Sequence, residues 1–451
     1  MYPITFSQVA ALFGKERSDQ TQISKVIINS RDAVPACLFF ALPGSKVDGH
    51  QFVNDVLQQE GYAVVKQGFS SDERVIGVAD PLAALQKLAQ FSLKQSGIPV
   101  IAVTGSNGKT TTKDFTAAVL QARMLVWKTQ GNFNNELGLP LTIMEIEPHH
   151  EAVVLEMGMR GLGEIRHLTE IAPPQVAVIT NVFPVHLELL GSIENIAAAK
   201  AEVLEGLKPG GAAVLNGDDP LIRRHAAKAD QVLFFGKNPD NQLRAENIKV
   251  DQKGCVSYDL IWEGKSYPVI LSVPGVHNVY NSLAGIGVGL LFGIPVADAI
   301  QALRHVELTE MRLEIVKSSD GITIINDAYN ASPASMRSAL ETLAKMQSFG
   351  RKIAVLGDMY ELGPISDRAH EQVGEQAAGV CDLVIFVGQN AQVMRKGAEL
   401  AGFPRSKIII YQSVEQLLPE LKDLVEPNDL VLIKASRSVQ LERAAAVLKA
   451  R

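Results

Sequence analysis

Apolar runs of strand length alternate with helix-length stretches along the whole chain, and the alternation restarts three times. Runs at 23–28, 38–42, 63–65 and 75–78 have the length of buried strands, and 52–59 places apolar residues at helical spacing. These predict a small α/β unit over 1–81, closed by Asp80-Pro81, with a helix over 82–95 leading onward. Over 82–311, runs at 98–103, 152–156, 176–180, 212–215 and 232–235 read as buried strands separated by helices, the pattern of a mainly parallel sheet covered on both faces. Residues 245–273 predict a small antiparallel addition turning near Gly254 and Gly264, and 285–293 a tightly packed glycine-rich helix. Over 312–451, strands are expected at 322–325, 353–356, 383–387, 408–411 and 430–433, a doubly wound, Rossmann-like unit lacking the G-x-G-x-x-G of a dinucleotide site. The fold class expected is therefore α/β in three domains.

Composition narrows the class. A chain of 451 residues, 47% hydrophobic and 20% charged, is globular and too long for one core. A net charge of -6 with no long basic run argues against nucleic acid as the main partner. Cys37, Cys255 and Cys381 are isolated and odd in number, which fits reduced thiols better than a disulfide framework or a zinc site. Residues 1–14 lack the basic lead of a signal peptide and no apolar run approaches the roughly 20 residues of a membrane span. A soluble, cytoplasmic protein is the expectation.

Chemistry enters at Gly105-Ser106-Asn107-Gly108-Lys109-Thr110-Thr111, which follows an apolar strand and opens a helix. Backbone N–H groups converge on a phosphate at such a turn, and the lysine adds a point charge. The commonest spacing would need glycine at 103, where Val103 stands, so the first glycine is shifted to 105. A phosphate loop calls for magnesium, with Thr110 as the usual hydroxyl ligand and a carboxylate from a neighbouring strand end, for which Glu156 is placed, the lesser alternative being a plain surface glutamate. His186 follows a buried strand, and Lys200 sits in an alanine-rich helix capped by Ser192, where a lysine either snorkels to solvent or carries special chemistry. The amides of Asn132, Asn134 and Asn135 suit hydroxyls, phosphates or a peptide, or simply a turn. Asp327-Ala328-Tyr329-Asn330 and Gly357-Asp358-Met359 each follow a C-terminal strand and should face one cleft.

Together these segments resemble the Mur ligase family, ATP-dependent amide-forming enzymes of peptidoglycan precursor synthesis. The shifted loop at 104–111 is similar to that family's phosphate loop, so the resemblance implies ATP contacts from Gly105, Ser106, Asn107, Gly108, Lys109, Thr110 and Thr111. It also implies adenine-side contacts from Asn278 and Asn281, following His277, a phosphate contact from Arg312 and a ribose contact from Asp327. Two magnesium ions are implied, one near Thr110 and Glu156, the other near His186 and Lys200 carried as a carbamate, with Lys109, Glu156, His186 and Lys200 as the catalytic set. Ser30, Arg31 and Asp48 resemble a UDP-sugar site, while Asn132, Asn134, Asn135, Tyr329, Asn330, Asp358 and Met359 lean toward the branch joining D-alanyl-D-alanine to UDP-N-acetylmuramoyl-tripeptide. Ser332 departs from the asparagine usual there. The resemblance thus implies a nucleotide-sugar domain, a central ATP domain and a Rossmann-like domain in a monomer acting on small molecules. The rivals are another ligase of the group, such as folylpolyglutamate synthetase, and a phosphate-loop regulatory protein that makes no amide.

Overall fold

The computed structural model describes residues 1–44 and 47–451 and contains three sheets. The first has four parallel strands in sequence order, Val26–Ile27, Leu38–Phe40, Tyr62–Lys66 and Val75–Val78. Parallel strands are covered on both faces, and their side chains divide accordingly. Leu38, Phe40, Val64 and Ile76 point into one core, while Ile27, Phe39, Ala63 and Val65 point into another. Helix Pro81–Ser96 starts where Asp80 accepts from Leu82 N and Ala83 N and ends at the left-handed Gly97. Its Leu85, Leu88 and Leu93 share a core with Leu38 and Phe40 on one side and with Val100 and Leu139 on the other, so it joins the first sheet to the second.

The second sheet has nine strands. Val126–Lys128, Ala152–Glu156, Val100–Thr104, Val176–Ile179, Ala212–Asn216, Gln231–Gly236 and Leu243–Val250 lie side by side and parallel, and Cys255–Trp262 and Lys265–Pro274 continue the same sheet antiparallel. The expected addition therefore extends the central sheet, with turns at Gly254 and Gly264. The glycine-rich stretch lies in helix Asn278–Leu291, where Gly285 packs directly on the backbone at Phe115 and Thr116 of the neighbouring helix, Lys109–Gln121.

The third sheet runs Glu314–Lys317, Thr323–Asn326, Leu430–Lys434, Lys352–Gly357, Leu383–Val387 and Ile408–Tyr411. The first of these is an antiparallel edge strand that the apolar pattern does not reveal, because its residues are at most half-buried. Helices Pro333–Lys345, Ser366–Ala378 and Ala391–Leu400 cover one face, and Val414–Leu424 and Glu442–Lys449 the other. The three crossovers that run outward along the sheet lie on one face and the one that returns to the middle lies on the other, as right-handed connections require. Among the described residues no helix is long and apolar enough to cross a membrane.

Candidate active site

Strand Val100–Thr104 delivers the chain into the turn at 105–108, and helix Lys109–Gln121 begins at once. At Gly105 a Cβ would stand 1.9 Å from Thr180 Oγ1, and at Gly108, with φ +78°, 2.8 Å from Asn281 Oδ1, so both positions require glycine. The turn is braced by the segment after strand Val176–Ile179. Asn107 N donates to Asn181 Oδ1 (2.8 Å), Ser106 N to Asn181 O (2.9 Å) and Ser106 Oγ to Phe183 O (3.0 Å). Lys109 Nζ folds over the turn, donating to Gly105 O at 2.9 Å and Ser106 O at 3.3 Å. Burial pushes its pKa down, and the charge of Glu156 opposes that shift.

Glu156 ends strand Ala152–Glu156 beside this turn and is 2% exposed, so the surface-residue alternative does not hold. Its Oε2 accepts from Thr110 Oγ1 (2.8 Å) and its Oε1 from Asn134 Nδ2 (2.7 Å). Arg312, from the linker to the third sheet, donates from Nη2 to Thr110 Oγ1 (3.2 Å), with its guanidinium 4.0 Å from the centre of the Tyr329 ring. A hydroxyl and a carboxylate side by side are hard oxygen donors of the kind magnesium takes.

His186 holds φ +54°, a conformation that non-glycine residues adopt at a cost and that concentrates at functional sites. Its Nδ1 stands 2.5 Å from Glu361 Oε2, a contact across the boundary with the third sheet. Burial lowers its pKa, and Glu361 opposes the shift. Lys200, in helix Ile193–Glu205, is 2% exposed and therefore does not snorkel. It forms no ion pair among the described residues, and burial together with nearby Lys109 holds its ammonium well below the usual lysine range.

On the third sheet, Asp327 Oδ2 receives Lys434 Nζ at 2.6 Å, and the same ammonium donates to Asn330 O at 2.8 Å. Asp327 Oδ1 accepts from Leu313 N (3.2 Å), next to Arg312. On the opposite wall Asn278 Oδ1 accepts from Asn281 Nδ2, and Asn281 Oδ1 accepts from Thr112 Oγ1, so the asparagines are fixed to the phosphate-loop helix. His277 Nδ1 is buried without a partner among the described residues, and burial brings its pKa to about 4. A cavity of about 830 Å³ lies between these walls and touches Lys109, Thr110, Glu156, Asn278, Asn281, Arg312, Asp327, Tyr329 and Asn330.

Several expected contacts lie elsewhere. Asp358 is 1% exposed and turned into the fold, where it accepts from Gln389 N (2.9 Å) and Asn390 N (2.8 Å), and Met359 is buried in the core. Neither reaches the cavity, because a carboxylate at a strand end can close its own neighbouring turn instead of facing a ligand. Asn135 Oδ1 accepts from Gly138 N at the start of helix Gly138–Met144, and Asn132 is exposed in the turn before it; of the three amides only Asn134 meets the cavity. Ser30, Arg31 and Asp48 stand apart from the cavity, on loops that follow strand ends of the first sheet. There His50 bridges Asp48 Oδ1 (2.7 Å) and Lys66 N (2.9 Å). Sequence reasoning missed Lys434 and Glu361 as site residues. Lys434 ends a buried strand as Glu156 does, and that shared position was the available signal.

The sequence matches the Mur ligase middle domain over residues 103–289 and the Mur ligase glutamate ligase domain over 311–437. It is 39% identical over 430 residues to the UDP-N-acetylmuramoyl-tripeptide–D-alanyl-D-alanine ligase of Bacillus subtilis, covering 94% of this chain and 93% of the relative. The chain belongs to the Mur ligase family. The ligase of the same name from Escherichia coli is 31% identical, with 100% of this chain and 99% of the relative aligned. Among solved structures, MurF from Acinetobacter baumannii superposes with a TM-score of 0.89 at 30% identity over 99% of both chains. MurF from Thermotoga maritima in complex with ADP gives 0.82 at 32% identity over 95% of this chain and 97% of that one. As a Mur ligase, the chain has the three-domain α/β architecture expected of it.

Proposed function

We propose that this Mur ligase joins D-alanyl-D-alanine to UDP-N-acetylmuramoyl-tripeptide with conversion of ATP to ADP and phosphate. The observation that carries the reading is the convergence of Lys109, Thr110, Glu156 and Arg312 on one cavity between two domains, in a chain similar end to end to ligases of that name.

The terminal carboxylate of the tripeptide attacks the γ-phosphorus of ATP, forming a C–O–P bond as ADP leaves. The dipeptide amine then attacks the acyl carbon, phosphate leaves, and the nitrogen gives up a proton. The first step brings two anions together, and Lys109 and Arg312 supply fixed positive charge where that repulsion develops. Thr110 with Glu156, and His186 with a Lys200 carbamate, are the residues that would hold magnesium, which when bound neutralises phosphate charge. Lys200 suits carbamylation because burial and nearby Lys109 disfavour its ammonium: the neutral nitrogen attacks carbon dioxide, an N–C bond forms and a proton is released. Asn278 and Asn281 fit the adenine side and Asp327 the ribose. Tyr329 and Asn330 fit the dipeptide side, and Ser30, Arg31 and Asp48 the uridine end. The likeness to UDP-N-acetylmuramoyl-tripeptide–D-alanyl-D-alanine ligases supports action on small molecules, with domains dividing near 81 and 312.

ADP release measured across UDP-muramoyl peptides of different length, each with and without D-alanyl-D-alanine, tests the reading. Turnover is expected only with tripeptide and dipeptide together. Equal ADP release without an amine acceptor would reject it in favour of a non-ligase ATPase.

A further inference from the structure

Helix Lys109–Gln121 carries, one turn beyond its phosphate-facing end, a buried charge cluster that the proposed chemistry does not use. Asp114 has a fully buried side chain. Its Oδ1 accepts from Lys128 Nζ at 2.6 Å and lies 3.2 Å from Lys113 Nζ. Its Oδ2 accepts twice from one residue of the interdomain linker, from Thr309 N at 2.8 Å and Thr309 Oγ1 at 2.9 Å. Lys113 Nζ donates in turn to Thr129 O (2.7 Å), and Thr129 Oγ1 accepts from Glu156 N (2.9 Å). Burial alone would raise the Asp114 carboxyl, but the two lysines outweigh it and keep the group an anion.

Thr309 lies three residues before Arg312, and the intervening backbone is constrained. Met311 (φ +59°) and Leu313 (φ +50°) both take the left-handed conformation that non-glycine residues avoid, so Arg312 stands on a short kinked segment. That segment is held on its far side by Leu313 N donating to Asp327 Oδ1 and on its near side by Thr309 on Asp114. Arg312 Nε is buried without a partner among the described residues, so apart from Nη2 on Thr110 Oγ1 and the Tyr329 ring beneath it the guanidinium depends on its backbone for placement.

We propose that Asp114 and Thr309 form a clamp that positions Arg312 over the phosphate loop, making them positioning residues for ATP use that act through the linker. The inference rests on the ligase reading only in using its assay, since ATP binding can be followed without turnover. Because Thr309 and Arg312 share one short linker segment, the clamp works on the guanidinium's location, while Ser30, Arg31 and Asp48 of the proposed UDP-sugar end stand apart from the cavity and are left untouched.

The test uses Thr309, which is only half-buried and whose substitution leaves the lysine–aspartate cluster neutralised. A hydrogen bond to a buried carboxylate is worth about tenfold in an equilibrium. Thr309→Ala is therefore expected to raise the KM for ATP and weaken binding of a fluorescent ATP analogue by about tenfold, with the KM for UDP-tripeptide unchanged. Thr309→Ser, which keeps the hydroxyl, should restore wild-type values. In an Arg312→Ala background, Thr309→Ala should add nothing further, because the group it positions is gone. Additive losses in the double variant, or equal losses for ATP and UDP-tripeptide, would overturn the clamp, as would unchanged ATP affinity in Thr309→Ala. A wild-type enzyme that binds ATP yet makes no amide would instead count against the ligase reading and leave the binding comparison intact.

Discussion

Two buried lysines, one in the central domain and one in the C-terminal domain, are treated differently by their surroundings. Lys434, at the end of a strand in the third sheet, meets the Asp327 carboxylate and two backbone carbonyls. Lys200, on a helix of the central domain, is as deeply buried and has no anion beside it, only another lysine. A paired charge at this depth serves the architecture, because both partners are satisfied within the protein. An unpaired one is costly to bury and marks the place where an anionic group has to arrive. Lys200 is thus left open to charge brought by substrates or modification, whereas the charge of Lys434 is met within the protein by Asp327.

The sharpest way to break this comparison is to remove the unpaired lysines. Lys109→Ala should lower turnover on the order of a hundredfold to a thousandfold while UDP-substrate binding by calorimetry stays unchanged. Lys200→Met should lower turnover about a hundredfold or more without lowering the urea midpoint, since the lost amine had no partner to strand. Added formate or acetate should restore part of the rate in Lys200→Ala; full activity in that variant would end the carbamate assignment. Lys434→Met reverses the pattern: it strands a buried Asp327 and should cost about 3–5 kcal/mol in denaturant unfolding, partly recovered by adding Asp327→Asn.

His277 sharpens the contrast through pH. Its pKa lies at about 4 in the folded chain against 6.5 unfolded, so between those values the unfolded state binds more protons. Its contribution is complete above 6.5 and is lost as pH falls toward 4. The ring is partly exposed, and the loss should be on the order of 2 kcal/mol in the ligand-free protein, absent in His277→Gln. The smallest effect is expected at Ser332, which caps helix Pro333–Lys345 and donates to Asn107 Oδ1 (2.9 Å) across the two walls. Ser332→Ala should cost about 1 kcal/mol, and Ser332→Asn less.

What the sequence made legible follows from where physical signals are local. The phosphate loop carries its own glycines, lysine and flanking strand and helix, and the central strands are buried on both faces, so their apolar runs stand out. Edge strand Glu314–Lys317 escaped because half-exposed residues leave no run. Asp358 misled because a carboxylate after a strand reads the same whether it faces a ligand or ties down the turn at Gln389 and Asn390. Lys434 and Glu361 went unnoticed because their meaning depends on partners 107 and 175 positions away, Asp327 and His186, which only the folded chain brings near.

The strand order of the third sheet has a consequence for synthesis. Leu430–Lys434 lies between Thr323–Asn326 and Lys352–Gly357, yet it leaves the ribosome after every other strand of that sheet. Until it emerges, the two halves on either side have no common backbone partner and their inward edges remain open. A message broken just before codon 430 would therefore yield a chain with nearly all its strands and no continuous C-terminal sheet, a product for proteases rather than a slightly shorter enzyme.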